Sequence, residues 1–272
     1  MTDANPFTPD SPPSHAVDLR SPWRWIALGW NDLRRNPVPG LAHGLLLAVF
    51  GCLLLWAARD RFWLLAGAFS GFLIVAPILA TGLYSISKAG QQGGPAGLGT
   101  VLALWRSGDG RLVRFGLLLG LAGTGWVLTS AGLITLWSPV PIEKPVDFLL
   151  HVVLVPETGL FEVWVLLGAL LAAPVYASSV VALPMLVDTS VPVSMAVAQS
   201  WRTVANHPGP MVLWAVVLGV LMAIGLLTAL LGLVVLVPLV GHASWHAYCD
   251  LADRDRLAAS SSTRGSVDGQ NA

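Results

Sequence analysis

The sequence predicts an all-α membrane protein with six transmembrane helices, arranged as three hairpins that each follow a short amphipathic helix. Of the 272 residues, 55% are hydrophobic and only 11% are charged, whereas soluble domains carry roughly 25% charged residues. The mean hydropathy is +0.70, and the apolar residues stand in long blocks rather than in the alternating pattern of a β-barrel. These observations exclude a water-soluble globular protein.

Five apolar blocks define the predicted transmembrane helices, and the first four each fit one crossing. The fifth block extends from Met211 to Tyr248, and a single helix of its 38 residues would measure about 57 Å, against a hydrocarbon core of about 30 Å. We therefore predict two helices in this block, with a turn near Thr228 to Gly232. The predicted spans are 41–58, 62–86, 112–137, 161–187, 211–228 and 231–248.

A short helix on the cytoplasmic interface is predicted before the first, third and fifth spans. The first has an apolar face at helical spacing, formed by Trp23, Ile26, Trp30 and Leu33. Similar faces surround Trp105 and Trp201. Two prolines follow Trp30 and again Trp201 at the same distances, which favours a sharp corner into the membrane. The sequence thus predicts three copies of one unit, of which the middle copy lacks the prolines.

The distribution of basic residues predicts the orientation. Twelve of the 15 lysines and arginines fall on the side that carries both termini and three on the other, so both termini are expected in the cytoplasm. The Pro-, Ser- and Gly-rich ends cannot bury enough apolar surface to order themselves. We therefore expect a membrane domain over residues 23–251, between disordered cytoplasmic tails at 1–22 and 252–272.

Several classes of function lack support in the sequence. The charges cancel to a net charge of zero, so nothing indicates a nucleic-acid partner. No charged residue lies in the middle of a predicted span, which disfavours an ion-coupled transporter, although a passive channel or transporter stays as an alternative. The common catalytic motifs are absent, and we expect no enzymatic activity.

Two kinds of site are predicted. The interfacial helices could enclose a groove for a small hydrophobic or lipid ligand, lined by Trp30, Trp105, Trp201 and Trp245. Alternatively, His242 and His246 stand four residues apart on one helical face, a spacing suited to a transition metal or a haem. His43 is predicted at the same depth as this pair. The first interpretation requires no cofactor and is the leading hypothesis.

Three segments resemble a family of predicted bacterial integral membrane proteins, DUF2189. They are Trp25 to Leu33, Pro77 to Tyr84 and Pro238 to Tyr248, and the resemblance covers roughly residues 23–251. It implies a multi-pass protein of the bacterial inner membrane and supplies no activity. We expect the lipid bilayer as surroundings, with a second copy or another membrane protein as candidate partners.

Overall fold

The protein is described by a computed structural model that covers residues 17–60, 79–154 and 159–268. Within these ranges the chain forms helices and no strands. Four of the described helical segments are long and apolar enough to cross a membrane, namely Pro37–Ala57, Gly110–Trp137, Leu160–Asp188 and Pro208–Leu227. They correspond to the first, third, fourth and fifth predicted spans, so the all-α membrane class is confirmed.

Eleven helices and one π-helical turn are described. They are α1 (Ser21–Arg35), α2 (Pro37–Ala57), α3 (79–91), α4 (Leu98–Arg106), α5 (Gly110–Trp137), α6 (Pro145–Phe148), the π-turn (Leu149–Val153), α7 (Leu160–Ser179), α8 (Ala182–Asp188), α9 (Val193–Asn206), α10 (Pro208–Leu227) and α11 (Leu233–Asp268). Most of the second predicted span, residues 62–78, lies outside the described residues, as does the tail before residue 17. α11 continues past the expected end of the last span into residues that the sequence assigns to the C-terminal tail.

Helix α11 lies at the centre of the packing and contacts α1 and α2 most extensively. Glycines allow these close approaches. A Cβ atom added to Gly29 of α1 would lie 2.6 Å from the backbone nitrogen of Ala243, and one added to Gly44 of α2 would lie 2.2 Å from the carbonyl oxygen of Val234. The two helices therefore touch α11 backbone to backbone, as small residues permit in membrane proteins.

The predicted corners are present at the ends of two amphipathic helices. Asn36, between α1 and α2, has φ −130° and ψ 65°, and His207, between α9 and α10, has φ −126° and ψ 54°. A proline opens the following helix in both cases. In the middle copy, Gly108 in the left-handed region (φ 63°) makes the corner, and Asp109 caps the nitrogen of Arg111 at the start of α5.

The face of α1 that packs on the protein shares only Leu33 with the apolar face identified from the sequence. Trp23 and Trp30 are 58% and 43% exposed, whereas Trp25 is fully buried. The buried face consists of Ser21, Pro22, Trp25, Gly29 and Leu33. Sequence periodicity found a real apolar stripe, but α1 carries two such stripes. The glycine in the second stripe is what allows close packing against α11.

The predicted turn in the last apolar block is present, and a further break occurs in the fourth span. Residues 228–232 form the turn between α10 and α11, with Ala229 and Leu230 at φ 51° and 68°. The fourth span is interrupted between α7 and α8, because Pro184 cannot donate a backbone hydrogen bond to Val180. At the same break, the backbone nitrogen of Val181 donates to Ser200 Oγ of α9 at 3.1 Å.

The connection between α5 and α7 folds back onto the helix ends. The π-turn Leu149–Val153 follows α6 directly. Its Val152 packs with Ile134, Ile142 and Leu160 in a small apolar cluster. This short helical cap thus covers the adjoining ends of α5 and α7.

Candidate functional site

A polar cluster with three buried members, Ser87, His242 and His246, lies where α1, α3 and α11 meet. Together with Asp32 and Gln91 at its edge, we call it the histidine cluster. Asp32 Oδ2 accepts a hydrogen bond from Ser87 Oγ at 2.7 Å and another from His246 Nε2 at 2.8 Å. Ser87 Oγ also lies 2.7 Å from His242 Nδ1, and Gln91 Nε2 lies 3.3 Å from His246 Nδ1. Each of the three helices thus supplies one part of a continuous network.

The hydrogen-bond partners determine where the protons lie. Ser87 has a single hydroxyl proton, which it donates to the carboxylate of Asp32. His242 must therefore carry its proton on Nδ1 and donate it to Ser87 Oγ, which leaves a lone pair on Nε2 of the neutral ring. His246 donates from Nε2 to Asp32 and accepts at Nδ1 from Gln91. Both nitrogens of His246 are therefore engaged.

Asp32 lies on α1, outside the candidate spans, and its environment favours the ionised form. Burial, the largest influence, raises its pKa, but the hydrogen bonds from His246 and Ser87 and the nearby histidines outweigh it. The pKa of Asp32 is therefore held below its ordinary value of 3.8. A charged carboxylate can thus serve as the common acceptor of the cluster.

His43 of α2 reaches the same region from the other side. Its Nδ1 lies 2.7 Å from the carbonyl oxygen of Pro39, and since a carbonyl only accepts, His43 carries its proton on Nδ1. The side chains of His43 and His242 are 4% and 0% exposed. The Nε2 atoms of both rings are buried and have no hydrogen-bond partner.

Glycines lie opposite both of these free nitrogens. A Cβ atom at Gly82 of α3 would lie 2.7 Å from His43 Nε2, and one at Gly40 of α2 would lie 3.5 Å from His242 Nε2. His43 Nε2 thus faces α3, whereas His242 Nε2 faces α2. A side chain at Gly82 would collide with His43, whereas one at Gly40 would collide with Leu33.

The two histidines of the sequence-based pair differ in how many ring nitrogens are free to bind a metal. His242 offers one free nitrogen, whereas His246 would have to give up a hydrogen bond before it could bind a metal. No group of three or more His, Cys, Asp or Glu side chains suited to a metal occurs within the described part of the chain. The metal or haem alternative built on the pair His242 and His246 stays a prediction.

The structure places the four predicted tryptophans in different surroundings. Trp105 lines one cavity and Trp245 lines another. Trp245 is buried and donates to Gln91 Oε1 at 2.9 Å. Trp30 is 43% exposed, and Trp201 is 47% exposed and donates to Ser178 Oγ.

The cavity beside Trp105 is mainly apolar. It has a volume of about 140 Å³ and lies between α3, α4, α5 and α8. Its lining residues include Thr81, Leu104, Trp105, Leu112, Val113 and Leu183. Trp105 also packs against His43, with ring centroids 6.0 Å apart, so this cavity adjoins His43.

A second cavity, of about 300 Å³, lies beside Trp245 at the end of α3. Its charged groups pair with each other, since Lys88 Nζ lies 3.1 Å from the carboxylate of Asp188. The hydroxyl of Tyr248 donates to the same carboxylate at 2.8 Å. These bonds tie α3, α8 and α11 together, and we assign this cavity no ligand.

Sequence reasoning missed Asp32, Ser87 and Gln91. Asp32 was detectable, because it follows Trp25 by seven residues and so shares the buried stripe of α1. A lone carboxylate on such a stripe requires partners. Ser87 and Gln91 gave no comparable signal, since their roles depend on how α3 packs against α11.

Comparisons with known proteins give one match. No curated protein and no solved structure matches the chain. Over residues 64–188, which include α3 to α8, the chain matches the family model described as predicted integral membrane protein (DUF2189). The match agrees with the apolar helices of the structure, and the chain is therefore similar over these residues to an integral membrane protein family, DUF2189.

Proposed function

We propose that this integral membrane protein is a non-enzymatic, six-span protein of the bacterial inner membrane that binds the acyl chain of a lipid in the cavity beside Trp105. In this proposal both termini lie in the cytoplasm. The amphipathic helices α1, α4 and α9 lie along the cytoplasmic interface. A second copy of the chain or another membrane protein is a further candidate partner.

The cavity beside Trp105 is the observation that carries the proposal. An apolar protein cavity of about 150 Å³ is large enough for a benzene-sized molecule, and this one measures about 140 Å³. It is open at the junction of α4 and α5, where Val113 is 51% exposed. A short apolar segment can therefore enter from the side, as a lipid tail would.

The chemistry of the histidine cluster supports a role without catalysis. Asp32, Ser87 and His242 are the residue types of a hydrolase triad, but hydrogen bonds connect them in a different order. In a triad the carboxylate orients the histidine and the serine donates to the histidine. Here Ser87 stands between the other two and donates to Asp32, and its side chain is only 2% exposed. A nucleophile in this position has no access to a substrate.

Photolabelling with a phospholipid that carries a diazirine on its acyl chain tests the proposal. The purified protein is labelled in vesicles, and the modified peptides are identified by mass spectrometry. We expect label at the ends of α4 and α5 around the cavity. Excess unlabelled lipid should reduce this label in a saturable way, unlike label on helix faces that merely contact bulk lipid.

A matched pair of variants sharpens this test. Val113→Trp fills the cavity mouth, whereas Val212→Trp makes the same change at a valine of α10 that is 64% exposed. We expect the first variant, and not the second, to lose the saturable label. Unchanged labelling in Val113→Trp, or label that never saturates, would contradict lipid binding at this place.

A further inference from the structure

Helix α1 presents an exposed face on the side away from the protein core. Trp23, Trp30 and Arg34 are all exposed, and their spacing of seven and then four residues places them on one face of the helix. Trp25 and Gly29, which are buried, lie on the opposite side and face α11 and its neighbours. The exposed face therefore takes no part in the packing of α1 against α11.

The other two amphipathic helices combine the same residue types on their exposed sides. On α4, Leu102 and Trp105 are exposed, and so is Arg106, which follows Trp105 directly. On α9, exposed Trp201 is followed directly by exposed Arg202. Each amphipathic helix thus presents a tryptophan and an arginine to its surroundings.

We call Arg34, Arg106 and Arg202 the interfacial arginines. Within the part of the chain that the structure describes, none of them forms an ion pair. Four acids on the side of the protein that carries these helices are engaged by other partners, namely Asp32, Asp109, Asp188 and Asp250. The interfacial arginines therefore keep uncompensated positive charges.

We propose that the exposed faces of α1, α4 and α9 bind anionic phospholipids, whose phosphate groups contact the interfacial arginines. The proposal rests on the placement of these helices at the cytoplasmic interface in the proposed function, and it adds the charge of the lipid. Helices that combine basic side chains with tryptophan and leucine lie at the level of the lipid headgroups. A guanidinium group also matches the geometry of a phosphate through two parallel hydrogen bonds.

Charge complementarity favours anionic over zwitterionic lipids. Phosphatidylcholine carries an ammonium group that neutralises its own phosphate, whereas phosphatidylglycerol has a net negative charge. A basic side chain close to an anionic membrane surface strengthens association by about fivefold. Exposed arginines do not all share this property, since Arg59 pairs with Asp60.

Lipid association of the full-length protein in vesicles tests this inference. The protein is reconstituted into phosphatidylcholine vesicles with a trace of spin-labelled phosphatidylglycerol or spin-labelled phosphatidylcholine. Electron paramagnetic resonance measures the fraction of each labelled lipid that the protein immobilises. We expect the larger fraction for phosphatidylglycerol at low ionic strength. This preference should disappear in 1 M salt, where the screening length is about 3 Å.

Arginine variants locate the preference. The triple variant Arg34→Gln, Arg106→Gln, Arg202→Gln should lose most of the preference and its salt dependence, while its immobilised fraction of phosphatidylcholine stays unchanged. Arg34→Gln alone should reduce the preference in part. Arg59→Gln is the matched control for this single change, because Arg59 is exposed but paired and lies on the opposite side in the proposed topology. Gel filtration and thermal unfolding verify that each variant is folded.

Equal immobilisation of the two lipids by the parent protein would overturn the inference and would leave an acidic protein as the alternative occupant of this surface. A preference that survives 1 M salt, persists in the folded triple variant or falls equally in Arg59→Gln would also contradict it. Should the triple variant fail to fold, Arg34→Gln and the salt dependence of the parent protein decide. Saturable labelling beside Val113 depends on an acyl chain and not on headgroup charge, so failure of one proposal is distinguishable from failure of the other.

Discussion

At the scale of single residues, one carboxylate organises the junction of three helices. Asp32 on α1 accepts hydrogen bonds from Ser87 on α3 and His246 on α11. Its side chain is 18% exposed and that of His246 is 9% exposed. Hydrogen bonds to a charged group in such surroundings contribute about 1.5–3 kcal/mol each, and removal of one partner leaves the others unsatisfied.

Replacement of Asp32 by asparagine should destabilise the protein. Asparagine keeps the size of the side chain but removes the charge, so we expect the free energy of unfolding at pH 7 to fall by about 1–3 kcal/mol. Thermal unfolding in detergent measures the change. Asp60→Asn is the control, because Asp60 pairs with Arg59 where both side chains are at least 65% exposed, and such surface pairs contribute little.

The effect of Asp32→Asn should depend on pH with a defined sign. Because the folded protein holds the pKa of Asp32 below 3.8, its stabilising contribution is complete above the unfolded pKa and is lost as the pH falls through the folded value. The difference in the free energy of unfolding between parent and variant should therefore be constant from about pH 5 to 7. It should become smaller below pH 3.8. A difference that grows in acid would show that the carboxylate is not the stabilising form.

At the scale of helices, glycine positions decide how closely α1 and α2 approach α11. Overpacking of a tight interface usually costs about 1–3 kcal/mol. We therefore expect Gly29→Ala and Gly44→Ala each to lower the free energy of unfolding by at least that amount, since the added methyl group meets backbone atoms that cannot rotate away. Chemical or thermal unfolding of the purified variants measures it.

Glycines without close neighbours serve as controls for this experiment. A Cβ atom at Gly125 of α5 or Gly219 of α10 meets nothing within 4 Å. Alanine at these positions should leave stability unchanged or raise it by up to about 1 kcal/mol, through the higher helix propensity of alanine. Equal losses of stability at all four positions would show that these glycines are needed for backbone flexibility rather than for close packing.

Arg111 joins the start of α5 to the segment between α8 and α9. Its guanidinium donates to the carbonyls of Thr189 and Val191 at 2.9 and 2.8 Å. It also pairs with Asp109 and holds the pKa of that carboxyl below its ordinary value through their side-chain hydrogen bonds. A lysine can form few of these bonds, because it lacks the planar guanidinium and its several N–H donors.

Arg111→Lys should therefore destabilise the protein by about 1–2 kcal/mol, the loss of one or two such bonds. Arg114→Lys, a change three residues further along α5 at an exposed arginine, should have no measurable effect. Thermal unfolding of both variants gives the comparison. Similar behaviour of the two would mean that charge, and not the forked geometry, holds α5 against this segment.

At the scale of the whole molecule, the helix pairs α1–α2 and α9–α10 follow one plan. The buried residues Trp25 and Gly29 of α1 correspond to Ala196 and Ser200 of α9. Similar backbone angles turn the chain after each helix. The buried rings His43 and Trp214 occupy corresponding places in α2 and α10, and each has a nitrogen without a partner. These two helix pairs, which belong to the first and third predicted copies, therefore correspond in backbone geometry and burial.

The six-span topology is tested by reporter fusions. We expect fusions after Arg256 and within residues 93–97 to report the cytoplasm, and fusions within residues 138–144 to report the opposite side. The reason is the excess of basic residues around the first group of sites. A reporter after Arg256 on the same side as one at 138–144 would contradict the proposed topology. A fusion after Leu230 then shows whether the turn before α11 lies outside.

Much of the architecture was determined by the sequence alone. The apolar blocks, the corners at Asn36 and His207 and the turn at residues 228–232 all follow from local properties: helix length against membrane thickness, and the backbone restriction that proline imposes. Such properties are encoded in neighbouring residues, and they require no knowledge of distant contacts. The identity of α11 as the central helix was not predictable in this way.

The candidate sites depend on contacts between residues far apart in the chain, which only the tertiary structure decides. His242 and His246 look equivalent by spacing, yet Asp32 and Gln91 engage both nitrogens of one ring, while Ser87 leaves a nitrogen of the other free. The buried stripe of α1 was likewise decided by the fit of Gly29 against α11 rather than by hydrophobicity. Periodicity identifies an apolar face. Close packing determines which face is buried, and the pairing of buried polar atoms determines which nitrogen stays without a partner.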